Sequence, residues 1–161
     1  MKESIGSTAS LNIVFVFIAI IFAFLAASLS YYKAFKVNNI ISNSILKYEG
    51  YNNLSINEIN TRLNSIGYQR YDANCGDTKN FNGQEFTSIN NGQDGICVYM
   101  NVNGKYYQYG ITTYMTINLP VIGELIKIPI NTTSNEIYGC FGNNGSTTVN
   151  LNNQEFTINC N

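Results

Sequence analysis

An α+β fold is predicted, a long N-terminal helix packed on an antiparallel sheet, and three features of the chain predict it. No charge lies between Glu3 and Lys33, and from Leu11 to Leu29 only Asn12 and Ser28 interrupt an apolar run. After that run, Val37, Ile41, Ile45 and Tyr48 recur at spacings of three and four, the period of one buried helix face. From Ile96 onward, alternating apolar and polar residues separated by Asn-Gly and Asn-Asn signals read as strands and turns. All four cysteines, Cys75, Cys97, Cys140 and Cys160, lie in the second part of the chain.

The apolar run is about 28 Å long as a helix at roughly 1.5 Å per residue, close to the ~30 Å hydrocarbon core of a bilayer. A secretory signal peptide is the alternative, but the segment before the run holds one Lys and one Glu, and "FLAASLS" only loosely approximates a cleavage site. No Pro or Gly interrupts the chain between Lys33 and Tyr48, so the helix is expected to continue out of the membrane. Tyr31, Tyr32, Lys33 and Lys36 suit an interfacial belt with snorkelling cations. The expected organisation is a short leader over residues 1–10, a transmembrane segment over 11–32 in a helix running to about 48, and an extracellular α+β domain over 49–161. The amphipathic half of the helix covers one face of the sheet. The lysines give no clear orientation by the positive-inside rule, so export rests on the cysteines.

An even number of cysteines in an exported domain reads as two disulfides. Three connectivities are possible. The local one, Cys75 with Cys97 and Cys140 with Cys160, is preferred because each pair closes a polar, Gly-containing excursion, and each loop would add on the order of 3 kcal/mol. No two cysteines are close together and there is no His, which disfavours a zinc site.

Within the C-terminal domain, "LSINEINTRLNSIGY" predicts a short helix with Ser55 as N-cap, Glu58 completing a capping box, a stripe of Ile59, Leu63 and Ile66, and Gly67 as the stop. Residues 68–93 read as polar loop with one strand at "QEFTSI". "GICVYMNV" and "KYYQYGITTYMTINLP" form a hairpin about Asn103-Gly104. The second strand would present Tyr107, Tyr109, Ile111, Met115, Ile117 and Leu119 to the helix and Gln108, Thr112, Thr116 and Asn118 to water. Pro120 ends it, "VIGELI" makes a short hydrophobic turn or a single helical turn, and "IKIPINTT" returns as a strand that Pro129 confines to an edge or bulge. More strand follows, with turns at 143–145 and 152–153.

The composition excludes several functions. Net charge is −1, only 12% of residues are charged, and the basic residues are scattered, so no nucleic-acid footprint exists. Without His, Ser-His and Cys-His catalysis lack their base. The carboxylates Asp72, Asp77, Glu85, Asp94 and Glu124 stand singly. Asp72, Asn74, Asp77 and Asp94 do not fit a calcium loop, since Gly83 stands where the bidentate Glu belongs. The triplets at Asn53 and Asn131 match glycosylation acceptors and are given no role. A non-enzymatic protein without cofactor or metal is expected.

The architecture resembles the type IV pilin-like superfamily, and "GSTASLNIVFVFIAIIFAFL" is similar to the N-terminus of tight-adherence (Tad) minor pilins of the TadE/TadG kind. "YYQYGITTYMTINLPVIGELIKIPINTT" is similar to their sheet region. The resemblance covers the first 50 residues and roughly Ile96 to Thr133, without a sharp motif. It implies processing between Gly6 and Ser7, and a pilin-like subunit that contacts the membrane, other pilin-like subunits or the pilus assembly platform through its N-terminal helix. The family's Glu, five residues after the cut, pairs with a neighbouring subunit's new amino terminus. Here Leu11 takes that place and Asn12 follows, able to hydrogen-bond between helices but not to form the ion pair. The departure points to a minor, initiating or tip subunit or an unprocessed accessory rather than a major pilin. The other expectation is a single-pass membrane-anchored extracellular binding domain outside any filament; a secreted protein ranks third.

Overall fold

A computed structural model describes residues 2–68, 73–90, 92, 95–118, 125–140, 145–151 and 154–160. The first element is one unbroken helix, α1, Lys2–Lys47, of 46 residues, about 69 Å at 1.5 Å per residue. It begins closer to the N-terminus than the apolar run alone implies. It ends in a Schellman turn: Gly50 N–H donates to Ile45 O over 2.9 Å and Glu49 N–H to Leu46 O over 3.3 Å. Glu49 carries the left-handed backbone, φ 49°, that such turns usually assign to glycine.

The second helix, α2, Asn53–Ser65, corrects the expected cap. Asn52 is the N-cap: its side chain accepts from the N–H groups of Leu54 and Ser55, and Ser55 Oγ accepts from Asn52 N–H. Ser55 is therefore buried in the first turn. Asn52 caps as well as Ser and stands three residues earlier, so the helix starts there. Glu58, freed from capping, bridges Lys47 of α1 and Arg62 of α2, both at 2.7 Å. Gly67, at φ 64°, follows the C-cap Ile66 and stops the helix.

Strands β1 (Thr78–Phe81), β2 (Gln84–Ser88), β3 (Ile96–Asn103), β4 (Tyr106–Asn118) and β5 (Leu125–Thr133) pair antiparallel in that order, and β6 (Ile137–Tyr138) adds to the other end of the β5-bearing edge of β4. A separate hairpin, β7 (Ser146–Leu151) with β8 (Gln154–Asn159), completes the fold. Gly104 and Lys105 join β3 to β4, one residue later than the Asn103-Gly104 signal. Pro129 sits on β5 opposite Tyr114, in the last strand of the β1–β5 series. Leu119, Pro120, the "VIGE" turn, and positions 143–144 and 152–153 lie outside the described residues.

The main core forms where α1 crosses the sheet. Val37, Ile41 and Ile45 pack with Ile59 and Leu63 of α2 against Val98, Met100, Tyr109 and Ile111. Asn38, also buried, donates from Nδ2 to Ile130 O over 3.0 Å and ties the helix to β5. Tyr109 and Ile111 thus take the face of β4 expected of them, while the side chains of Met115 and Ile117 are not described.

The opposite face of β4 is not left to water, a second correction. The segment read as polar loop contains β1, joined to β2 by Asn82-Gly83, both at positive φ as in a type I′ turn. This hairpin curls over the outer face, where Phe81 and Phe86 pack with Cys97 and Tyr99. Phe81 lies flat against Gly110, whose missing Cβ would sit 2.6 Å from the ring. Lys79 reaches over Thr112 and Asn131, donating to Oγ1 and Oδ1 at 2.9 and 2.8 Å. Thr112, expected at the surface, is buried by this cover. Burial in turn lowers the Lys79 ammonium below its ordinary pKa.

Disulfides join Cys75 to Cys97 and Cys140 to Cys160. The first fastens the chain entering β1 to β3. The second fastens the end of β8 to the segment after β6, and with Ile158 it forms a small satellite core.

Candidate functional site

Two surfaces stand out, and the first is the N-terminal half of α1. Every described residue from Ser10 to Phe22 is exposed, including Ile13 at 70%, Phe15 at 62% and Phe17 at 63%, and Phe24 reaches 73%. So continuous an apolar surface is not stable against water. The stretch is long and apolar enough to cross a membrane and sits near the N-terminus, so α1 is a candidate membrane anchor or signal sequence. Coverage by the domain begins near the end of the expected span: Ile130 of β5 packs against Ala34, next to the half-buried Ala27. Gly6 and Ser7 lie within the α1 backbone, one turn and more before the exposed apolar run. Asn12 is exposed among the apolar residues, at the one polar position in the first turns of that run.

The second surface is a pocket of about 250 Å3 where the end of α1 meets the sheet and the β7–β8 hairpin. Tyr107 and Tyr109 are two residues apart on β4 and so share the helix-facing side, their rings 5.8 Å apart and nearly perpendicular at 87°. Tyr107 Oη donates to Glu49 O over 2.8 Å, and Tyr109 Oη accepts from Tyr51 N–H over 3.3 Å. These bonds hold the left-handed turn at Glu49 in place. Tyr138 and Gly139 border the pocket, the Tyr138 ring itself packing on Tyr106 at the other face of the sheet, and Met100 and Ile158 line the apolar side. Burial, with smaller contributions from Tyr109 and the Glu49 carboxylate, pushes the Tyr107 phenol up to about 12. Burial raises Tyr109 too, against the opposing bond from the Tyr51 N–H.

Of the carboxylates considered for catalysis or calcium, Asp77 and Glu85 are among the described residues. Asp72, Asp94 and Glu124 lie outside the described residues, and among the described residues no group of three metal-ligating side chains occurs. The pocket was not anticipated. Its tyrosines come from three separate elements, and the only local trace is the Tyr-x-Tyr of Tyr107 and Tyr109. No known protein family, no curated protein and no solved structure matches this chain.

Proposed function

We propose that the chain is a non-enzymatic, membrane-anchored pilin-like subunit or assembly factor of a Tad-like surface pilus or pseudopilus. Its C-terminal domain faces outside the cell. The observation that carries this reading is the continuity of α1. One helix is exposed and largely apolar from Leu11 to Phe22 and seated on an antiparallel sheet over its second half, with no break between them. A helix of this kind can move from bilayer to a bundle of like helices without refolding, because lipid and apolar side chains are similar solvents for it. Leu11, in the place where the family carries Glu, favours a second form of the reading, in which the protein stays in the membrane as an accessory or anchored binding domain.

The test is the N-terminus and intact mass of the mature protein from native cells. A start at Ser7 supports pilin-type processing and the subunit reading. An intact Met1 supports the anchored accessory. A start near Ser28 would overturn both and leave a secreted domain.

A further inference from the structure

The two ends of the β1–β5 series carry an inference that does not depend on the filament reading. The sheet curls until β1 touches β5, and three side chains meet there. Thr112 and Asn131 are cross-strand partners on β4 and β5, so they share the face that the β1–β2 hairpin covers. Lys79 of β1 comes down onto both. Its Nζ donates to Asn131 Oδ1 over 2.8 Å and to Thr112 Oγ1 over 2.9 Å, and Thr112 Oγ1 donates in turn to Asn131 Oδ1 over 2.9 Å. The three groups close a triangle.

An amine, a hydroxyl and an amide carbonyl in mutual contact are the parts of an acyl transfer. Among the described residues the ion pairs join Glu58 to Lys47 and Arg62, and Lys79 is in neither. Its Nζ lies 5.7 Å from the centre of the Phe81 ring, beside the cluster of Phe86, Cys97 and Tyr99. Burial there lowers the ammonium pKa, so a larger share is neutral, nucleophilic amine. With Nζ 2.8 Å from Oδ1 and a C=O bond of about 1.23 Å, the amine is no more than about 4 Å from the carbonyl carbon. Such proximity replaces a high concentration of amine. The Thr112 hydroxyl is fully buried and aims its proton at the oxygen on which negative charge develops during attack.

We propose that Lys79 and Asn131 form an intramolecular isopeptide cross-link between β1 and β5, with the Thr112 hydroxyl as its catalytic group. The lone pair of the neutral Lys79 Nζ forms a bond to Asn131 Cγ. The bond from Cγ to Nδ2 then breaks, and Nδ2 takes a proton from Nζ and leaves as ammonia. Thr112 holds Oδ1 throughout, and nothing is oxidised or reduced. Asn131 is exposed, which gives the ammonia a path to solvent. The product ties the first strand of the series to the last, a connection that neither disulfide makes.

Full-length protein from native cells, purified in detergent and reduced, would be digested with chymotrypsin and mapped by tandem mass spectrometry. A branched peptide joining Lys79 to Asn131 is expected, about 17 Da lighter than its two segments together. Thr112→Val should lower the linked fraction at least about tenfold at equal time after synthesis, Thr112→Ser should keep it, and Asn131→Ala should abolish it. Lys79 and Asn131 recovered only on separate peptides of folded wild-type protein, with Asn131 intact or deamidated, overturns the proposal. Equal linkage in Thr112→Val overturns the part given to Thr112. If Thr112→Val unfolds by near-ultraviolet circular dichroism, the wild-type map decides alone. None of these outcomes bears on the mature N-terminus, so the two readings fail separately.

Discussion

Two single residues expose how tightly the fold is constrained. Gly110 is in a strand, where glycine is a poor choice, because Phe81 occupies the space of a side chain there. Gly110→Ala should destabilise the protein by about 1–3 kcal/mol through overpacking, read as a fall in the urea midpoint at unchanged slope. Glu49 presents the reverse case. Glu49→Gly relieves a left-handed backbone, so the variant should gain about 0.5–1 kcal/mol by the same measurement, less the added freedom of its unfolded chain. Neither position was legible beforehand: a glycine's neighbour and a glutamate's backbone angle are both set by chain that is distant in sequence or by a turn whose usual glycine is missing.

At the scale of elements, local signals read well where the cause was local. The stripe Val37, Ile41, Ile45 placed the buried face of α1, and alternation placed β3 and β4. Ser55 misled because capping depends on a residue's position relative to the first turn, and Asn52 won that position. The strand β2 was read at "QEFTSI", but β1 and its pairing were missed although Asn82-Gly83 stands between them, because the residues of β1 are mostly polar. The disulfides staple the elements least able to hold themselves, above all the two-stranded β7–β8 hairpin, which alone would be marginal. Replacing Cys140 and Cys160 by Ala should cost about 2–4 kcal/mol, and hydrogen exchange should rise first in β7 and β8 while α1 and β4 keep their protection.

For the molecule as a whole, buried phenols set an alkaline limit. Tyr107 titrates near 10 when unfolded and is pushed up to about 12 in the fold, so the native state holds its proton more tightly. The corresponding stability is complete below about pH 10 and is lost as pH rises through about 12. Urea midpoints should therefore fall over that window, and Tyr107→Phe should flatten the fall. Tyr109, raised in the same direction, supplies the part that remains. The pocket, the end of α1 and the sheet are one packed unit, so alkaline opening should begin there and leave the apolar half of α1, which bears on none of these rings, helical by far-ultraviolet circular dichroism.

By itself the sequence determined what depends on neighbours along the chain: a helix apolar enough to enter a membrane, its amphipathic continuation, an antiparallel sheet built from hairpins, and cysteines available for two bonds. Side-chain period and turn chemistry act over a few residues, and that is why they could be read. Only the tertiary structure decided that the β1–β2 hairpin covers the outer face and that Thr112 is buried. It also decided that Tyr51, Tyr107, Tyr109, Tyr138 and Glu49 meet in one pocket. These depend on how far the sheet curls and where three separate segments converge, and burial of distant surfaces against one another leaves no periodic trace in the chain.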